Sequence, residues 1–139
     1  MPGLTLEIIT PSKVSFKGDV ESITIPGTLG SFQILKNHAP LMSTFEIGAV
    51  KVVLPDHSEK YYATGGGTVE VLNNHILVLA DSLESIEDIN TERATAAKER
   101  AEERLTQKTD TTDIERAENA LKRAINRLRM VEKYIRAEV

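Results

Sequence analysis

The sequence predicts an α+β protein in which an N-terminal antiparallel β-sandwich of about ten strands is followed by an antiparallel two-helix hairpin. One observation is that every glycine and proline of the 139-residue chain lies before position 70. Another is that the first part contains short alternating apolar and polar segments, the pattern of half-buried strands. In the last part, apolar residues recur at helical steps of three and four. We therefore expect two domains, 1–85 and 86–139.

Alternating segments mark the first strands. Residues 4–8 alternate apolar with polar side chains, and a Pro-Ser pair at 11–12 ends the run. The Lys-Gly-Asp triplet at 17–19 predicts another turn before a strand at 20–25. Short strands separated by turn residues in this way are typical of a sandwich or barrel.

Two hairpins are predicted further along. Strands at 50–54 and 60–63 flank a Pro-Asp-His-Ser turn. The segment 68–80 folds back at Asn73 and Asn74, because asparagine tolerates the left-handed backbone of tight turns. Both hairpins add antiparallel strands to the predicted sandwich.

No catalytic, metal or nucleotide-hydrolysing site is predicted, so we expect no enzyme activity and no required cofactor. The glycines at 65–67 precede a strand, whereas a phosphate loop needs a Lys-Ser/Thr pair and a helix; they indicate close backbone approach or a bulge. His38, His57 and His75 lie far apart in sequence. The chain has no cysteine, and its net charge of −4 argues against binding nucleic acid. Membrane-spanning and signal-peptide patterns are missing from the sequence.

The second part predicts two helices. Small residues form a narrow stripe between 89 and 106, and a polar break at 106–111 leads to a capping box formed by Thr112 and Glu115. The stripe consists of Ala94, Ala97, Ala101 and Leu105. An apolar seam on the second helix consists of Ile114, Ala117, Leu121, Ala124, Leu128, Val131 and Ile135. The seam keeps its three-and-four spacing across three heptads.

The alanine stripe can cover this seam, but it buries little area. A covered Leu, Ile or Val contributes roughly 1.5–3 kcal/mol, and we expect the five on the seam to be mostly half covered. Two interpretations follow: the hairpin is permanently docked, or the seam is available to a different partner.

Two pairs of arginines also share helix faces. Arg93 and Arg100 are seven residues apart on the first helix, and Arg123 and Arg127 are four apart on the second. Four converging guanidinium groups would suit a polyphosphate. The alternative is that these charges are solvated and pair with neighbouring glutamates.

The segment 25–41, IPGTLGSFQILKNHAPL, predicts a rigidly shaped loop. Pro26 fixes its own φ, and Gly27 and Gly30 permit the positive φ values of sharp turns. A histidine, His38, is held next to a second proline. Loops fixed by a scaffold often carry binding surfaces, although an ordinary β-turn explains the same residues.

Taken together, these segments resemble the epsilon subunit of the bacterial and chloroplast F-type ATP synthase over essentially the whole chain. The order and spacing of several short motifs carry the resemblance. These motifs are Ile25-Pro26-Gly27 with Gly30, Ile34-Leu35 with His38-Ala39-Pro40, Gly65-Gly66, Val78-Leu79-Ala80-Asp81, Glu92-Arg93-Ala94, Ala97-Lys98-Glu99-Arg100-Ala101 and Arg116-Ala117 with Ala120-Leu121 and Arg123-Ala124.

The resemblance implies a non-catalytic rotor subunit of the central stalk that couples proton flow to rotation. Its sandwich would bind the gamma subunit and the membrane ring of c subunits, peripherally at the cytoplasmic face of the bacterial plasma membrane or the stromal face of the thylakoid. The residues that match the family's c-ring face are Thr28, Gly30, Ser31, Phe32 and His38. Isolated, the chain is expected to be a monomer.

For the helices, the resemblance implies regulation of ATP hydrolysis. They would lie folded as a hairpin or extend along gamma into the catalytic alpha and beta subunits and block hydrolysis. A seam that two surfaces cover in turn is what such a switch requires. The seam residues implied in these contacts are Ile114, Leu121, Leu128 and Val131.

Some family members bind regulatory ATP on the folded hairpin through an Ile/Leu-Asp-x-x-Arg-Ala motif. Here Asn90 stands at the acidic position, and asparagine keeps an acceptor while adding a donor, which would weaken or retune the site. The positions that match this ATP site are Glu84, Ile89, Asn90, Arg93, Ala94, Arg100, Arg123 and Arg127.

A rival interpretation from a different functional class is a free-standing ligand-binding sandwich with a helical oligomerisation hairpin. It would form a stable homodimer through the 114–135 seam. Sedimentation of the isolated chain separates it from a rotor subunit, which is expected to be monomeric.

Overall fold

A computed structural model describes residues 3–107 and 111–135, and it confirms the predicted fold class. Eight strands precede a 3₁₀ turn (Ile86–Asp88) and two helices, α1 (Thr91–Gln107) and α2 (Thr111–Tyr134). The strands are β1 (Leu4–Ile9), β2 (Val14–Val20), β3 (Ser22–Gly27), β4 (Gly30–Leu35), β5 (Leu41–Val53), β6 (Glu59–Leu72), β7 (His75–Ala80) and β8 (Leu83–Ser85). The chain divides between Ser85 and Ile86 into two compact units.

The strands are hydrogen-bonded in the order β2-β1-β7-β6-β5-β3-β4, with β8 beside β6. Every pair is antiparallel except β1 with β7, which run parallel. The prediction of an antiparallel sandwich therefore holds with one exception, which arises because the first strand of the chain inserts between β2 and β7.

Two long strands, β5 and β6, build the sandwich. They have 13 and 14 residues and pair along their whole length, from Leu41 opposite Val71 to Val53 opposite Glu59. One half of β6 pairs with β7 and the other half with β8, so the long strands connect the two layers. If each long strand is counted as two, the other six strands plus four halves give ten, the number that the family resemblance implied.

The change of layer in β6 occurs at the glycine run. Gly66 and Gly67 have φ values of 102° and 154°, which side chains rarely adopt. A Cβ atom on Gly67 would lie 2.0 Å from the carbonyl oxygen of Leu79 on the neighbouring strand. The predicted close backbone approach is confirmed, and it explains why three glycines stand here.

A buried threonine next to the glycines holds β8 in place. Thr64 is 3% exposed, and its Oγ1 donates to the carbonyl oxygen of Ser82 at 3.0 Å. Thr64 Oγ1 also accepts a hydrogen bond from the backbone amide of Gly66 at 3.2 Å. A hydroxyl that both donates and accepts satisfies itself in the interior, where an unpaired polar atom would be costly.

The core of the sandwich consists of the inward-facing residues of the alternating segments, as the sequence pattern predicts. Each fully buried aliphatic side chain contributes roughly 1.5–3 kcal/mol to stability. The largest fully buried side chains are Leu6, Ile8, Ile23, Ile25, Ile34, Val50, Val52, Val69, Val71, Ile76 and Val78.

One predicted turn is wrong. Residues 17–19 lie inside β2, where Gly18 is opposite Leu6 of β1. The chain bends instead at Glu21, between β2 and β3. The predicted interruption at residues 11–12 is confirmed as the reversal from β1 to β2, where backbone groups of Thr10 and Lys13 exchange hydrogen bonds of 2.9 and 3.3 Å. The two predicted hairpins are confirmed, and in the second both Asn73 and Asn74 have positive φ.

Both predicted helices are present. Asn90 Oδ1 accepts from the amide of Arg93 at 3.0 Å, which makes Asn90 the N-cap of α1. Residues 108–110 of the polar break and the side chain of Thr112 in the expected capping box lie outside the described residues.

Candidate functional site

The β3–β4 turn is one candidate contact surface. Gly27 and Gly30 are paired across it, and Gly30 has a φ of 126°. Thr28 Oγ1 lies 3.0 Å from Thr44 Oγ1 and donates to the Thr44 carbonyl oxygen at 3.3 Å. These bonds tie the turn to β5, so it is held in shape before any partner arrives.

The side chain at the tip of this turn is apolar and fully exposed. Leu29 has a relative exposure of 104%, the highest among the exposed large hydrophobic residues. Ser31 is also exposed, whereas Phe32 is partly buried and packs against the sandwich core. Sequence patterns did not single out Leu29, because an isolated leucine between two turn residues has no periodicity to mark it.

His38 lies in the connection from β4 to β5. Its Nδ1 donates to the carbonyl oxygen of Ala39 at 2.7 Å, and its amide donates to the carbonyl of Leu35 at 3.2 Å. The preceding residue, Asn37, has a φ of 66°. The imidazole therefore has a defined orientation in a tight connection, as the sequence predicted for a histidine next to a proline turn.

Large apolar side chains are exposed on the layer that contains β7 and the adjoining half of β6. Met42, on the outward side of β5, is 76% exposed and pairs with Glu70. Leu72 and Leu79 are 50% and 46% exposed. An apolar surface of this kind is typical of a contact with another protein.

In the helical unit, four alanines are buried, two on each helix. Ala94 and Ala101 on α1 are 3% and 2% exposed, and Ala117 and Ala124 on α2 are 1% and 0% exposed. Each pair is seven residues apart, so each occupies equivalent positions in successive heptads. The predicted stripe is therefore buried at Ala94 and Ala101, whereas Ala97 and Leu105 are half buried. Small side chains at the buried positions let two helix backbones approach closely.

The larger residues of the seam are only half covered, as predicted. None of them is fully buried, whereas Met130, which the heptad pattern did not include, is 2% exposed. The half-covered residues are Ile114, Leu121, Leu128, Val131 and Ile135. Their remaining apolar surface is available to another partner.

We expect Ala124→Leu to destabilise the folded hairpin by about 1–3 kcal/mol, because extra methylene groups do not fit a closely packed interface. The measurement is thermal unfolding followed by the helical circular dichroism signal. Ala96→Leu, the same change at a half-buried position on α1, is the control and should cost less than half as much. Equal effects of the two substitutions would show that the alanines do not form a tight interface.

The residues matched to an ATP site are divided between the two units. Glu84 lies in β8 of the first unit, whereas the arginines lie on the helices of the second. Arg93 and Arg100 are exposed on α1, and Arg123 and Arg127 are half buried on α2. Ile89 is half buried beside the N-cap, and Ala94 belongs to the buried alanines.

Asn90 has a structural role independent of any ligand. Its side-chain oxygen caps α1, and its carbonyl oxygen accepts from the amide of Ala94 at 3.0 Å. Asparagine and aspartate are equally good N-caps, so this helix start accommodates either residue. The exchange of Asp for Asn therefore changes the charge at this position while keeping the local fold.

The histidines do not form a catalytic or metal centre in the described part of the chain. Over residues 3–107 and 111–135, no cluster of three or more His, Cys, Asp or Glu side chains could hold a metal ion. His57, in the β5–β6 turn, donates from Nδ1 to Glu21 at 2.7 Å. His75 Nδ1 lies 2.8 Å from Thr5 Oγ1.

Two carboxylates near the β5–β6 turn have perturbed acidity. Hydrogen bonds from the Ser58 hydroxyl and amide lower the pKa of Asp56. A hydrogen bond from Lys51, whose Nζ lies 2.7 Å from the carboxylate, lowers the pKa of Glu59. Both carboxylates are exposed, so the lowered pKa values do not indicate a reactive site. The hydrogen bonds that lower them belong to the structure around the β5–β6 turn.

No helix among the described residues is long and apolar enough to cross a membrane.

Comparison with known families finds two adjacent matches. Residues 3–86 match the family model described as ATP synthase, Delta/Epsilon chain, beta-sandwich domain. Residues 87–132 match the model described as ATP synthase, Delta/Epsilon chain, long alpha-helix domain. The two models meet within one residue of the boundary between the compact units.

Individual proteins are similar to this chain over nearly its whole length. The ATP synthase epsilon chain of Desulforamulus reducens is 43% identical over 129 residues, covering 91% of this chain and 96% of that protein. The ATP synthase epsilon chain of Bacillus licheniformis is 43% identical over 128 residues, covering 92% and 97%.

Solved structures show that the fold is shared beyond recognisable sequence similarity. A chain of the Euglena gracilis mitochondrial ATP synthase, in a structure of OSCP, F1 and c-ring, aligns with a TM-score of 0.83 at 19% identity, covering 94% of this chain and 83% of that one. A chain of the Tetrahymena thermophila mitochondrial ATP synthase central stalk and c-ring aligns with a TM-score of 0.54 at 18% identity, covering 63% and 69%.

Proposed function

This chain belongs to the ATP synthase delta/epsilon chain family, and on that premise we propose that it is a non-catalytic central-stalk subunit of a proton-translocating F-type ATP synthase. The observation that carries the proposal is the match of both family models, in order, to residues 3–132. A sandwich alone would fit many functions, whereas two models of the same family matched in order over most of the chain indicate that family.

In this proposal the sandwich joins the stalk to the membrane rotor. The rigid β3–β4 turn and His38 face the c ring, with Thr28, Gly30, Ser31 and Phe32 forming the contact. The gamma subunit binds another part of the sandwich, and the exposed side chains of Met42, Leu72 and Leu79 are suited to such a contact. The chain is then a peripheral component at the cytoplasmic face of the bacterial plasma membrane.

The hairpin is the regulatory part. In its folded state the alanines of α1 and α2 pack together and the larger seam residues are half covered. In its extended state Ile114, Leu121, Leu128 and Val131 contact gamma and the alpha and beta subunits, and ATP hydrolysis is blocked. Moving such an equilibrium almost completely requires a difference in stabilisation of about 5.5 kcal/mol between the two states.

Co-purification tests the assignment to the central stalk. A tagged chain expressed in its own cells should retain gamma, alpha and beta subunits, and a tagged fragment ending at Ser85 should retain gamma through the sandwich. The proposal would be contradicted if the full chain retained none of these subunits under conditions that keep the ATP synthase assembled.

The proposal includes a regulatory ATP molecule bound to the folded hairpin. ATP bound to the folded hairpin with a micromolar dissociation constant would stabilise it by about 4 kcal/mol at millimolar ATP. Arg93, Arg100, Arg123 and Arg127 supply positive charge for the phosphates. Asn90 occupies the position at which other members have an acid.

Calorimetric titration with ATP–Mg tests the role of Asn90. We expect Asn90→Asp to bind roughly fivefold more tightly than the natural chain, because a carboxylate accepts hydrogen bonds more strongly than an amide. Asn90→Asp keeps the N-cap, whereas Asn90→Ala removes both the cap and the acceptor and should bind more weakly. Identical binding by all three chains would remove Asn90 from the nucleotide site, and no binding by any of them would exclude a nucleotide site on the hairpin.

A further inference from the structure

The connection that carries His38 is held by a reciprocal pair of asparagines. The amide of Asn37 donates to Asn74 Oδ1 at 2.6 Å, and Asn74 Nδ2 donates back to Asn37 Oδ1 at 3.1 Å. The two residues are 37 positions apart and belong to different connections, β4–β5 and β6–β7. Both have left-handed backbone, with φ values of 66° and 63°.

Asn74 is also hydrogen-bonded to β1 through its backbone. Its carbonyl oxygen accepts from the amide of Thr5 at 2.9 Å and from Thr5 Oγ1 at 3.3 Å. Thr5 Oγ1 also lies 2.8 Å from Nδ1 of His75, the residue after Asn74. The backbone of Asn74 is therefore anchored on the sheet, and its side chain reaches across to the neighbouring connection.

We propose that Asn74 is a positioning residue that clamps the β4–β5 connection and thereby fixes His38 for contact with the c ring. The partner in this inference rests on the proposed function. The clamp holds the residue before His38, the Leu35 carbonyl closes the turn, and the Ala39 carbonyl orients the ring. Binding then requires less ordering of the connection, which is how preorganisation raises affinity.

The Ala39 carbonyl oxygen fixes which ring nitrogen of His38 carries the proton. A carbonyl oxygen accepts only, so Nδ1 is protonated when it lies 2.7 Å from the Ala39 oxygen. The Nε2 atom is then left for a partner. If the β4–β5 connection becomes more mobile, the preference for a proton on Nδ1 weakens. The ring tautomer of His38 therefore reports whether the clamp is intact.

Asn74→Gly removes the clamp without disturbing the turn, because glycine adopts positive φ readily. Asn73→Gly is the matched control, since Asn73 lies in the same turn with a φ of 49°. In the full-length chain we expect Asn74→Gly to speed amide hydrogen exchange at Asn37 and His38 about tenfold and to reduce the Nδ1-protonated form in nitrogen NMR spectra. Asn73→Gly should change exchange by less than about twofold, and Asn74→Asp, which keeps the acceptor, should restore slow exchange at Asn37.

Binding of each full-length chain to purified c ring in detergent completes the test. Weaker binding by Asn74→Gly together with faster exchange supports the proposal. Unchanged exchange at Asn37 overturns the clamp. Faster exchange with unchanged binding overturns the positioning role. The binding of His38→Ala then tests the proposed c-ring face separately. Weaker binding by that variant leaves His38 in the face, whereas unchanged binding removes His38 from it.

Discussion

We expect ATP hydrolysis by the assembled complex to rise about tenfold when the chain is truncated after Ser85. In the proposed mechanism the extended helices block hydrolysis, so their removal releases every complex held in the inhibited state. An inhibited fraction of nine in ten corresponds to a bias of only about 1.3 kcal/mol, a difference that a half-covered seam can supply. The measurement is steady-state hydrolysis by membranes or purified complex at fixed nucleotide concentration.

The control for truncation is a complex that carries the full chain with Ala124→Leu. If overpacking opens the hairpin, this variant shifts complexes toward the extended state and lowers hydrolysis, the opposite of truncation. An unchanged rate after truncation would contradict the inhibitory role of the helices while leaving the sandwich as a coupling element.

Gly67→Ala is expected to destabilise the sandwich by roughly 3 kcal/mol or more. The new Cβ would lie 2.0 Å from the Leu79 carbonyl oxygen and 3.0 Å from the Ala80 Cα, both backbone atoms. Neither can move without breaking the pairing of β6 with β7. The backbone φ of 154° adds strain for any residue with a side chain.

Denaturant unfolding of the purified chain measures this loss. Gly18→Ala is the matched control, because its Cβ would meet the Phe16 ring at 3.9 Å, an ordinary contact. We expect that control to change the free energy of unfolding by less than about 1 kcal/mol. Similar unfolding midpoints for the two variants would mean that the change of layer at the glycine run tolerates a side chain.

Much of the fold could be predicted because local patterns and long-range packing agree. Alternation placed the strands, two asparagines placed a hairpin, and the alanine stripe predicted a close helix interface, since each pattern repeats along the chain. The turn at 17–19 was wrong for a physical reason. Lys17 and Asp19 are the exposed residues of an edge strand, where charges discourage pairing with other chains. Around a glycine, that pattern is easily mistaken for a turn.

The details of the contact surfaces could not be predicted because they depend on residues distant in sequence. The Asn37–Asn74 pair joins two connections 37 residues apart, and the Thr28–Thr44 bonds join a turn to a strand 16 residues away. Neither pair has a local signature. Asn90 is a third example: its sequence context matched only a nucleotide motif, and the structure shows that its side-chain oxygen caps α1.

In the proposed mechanism, two different surfaces cover the seam of α2 in turn. Hydrogen exchange of residues 114–135 in the intact ATP synthase tests it most directly, compared between saturating ATP and ADP. We expect protection of Leu121, Leu128 and Val131 to differ between the two conditions by tenfold or more, about 1.4 kcal/mol. Identical protection under every nucleotide condition would show that one neighbour holds the helix throughout, and the regulatory account would be wrong.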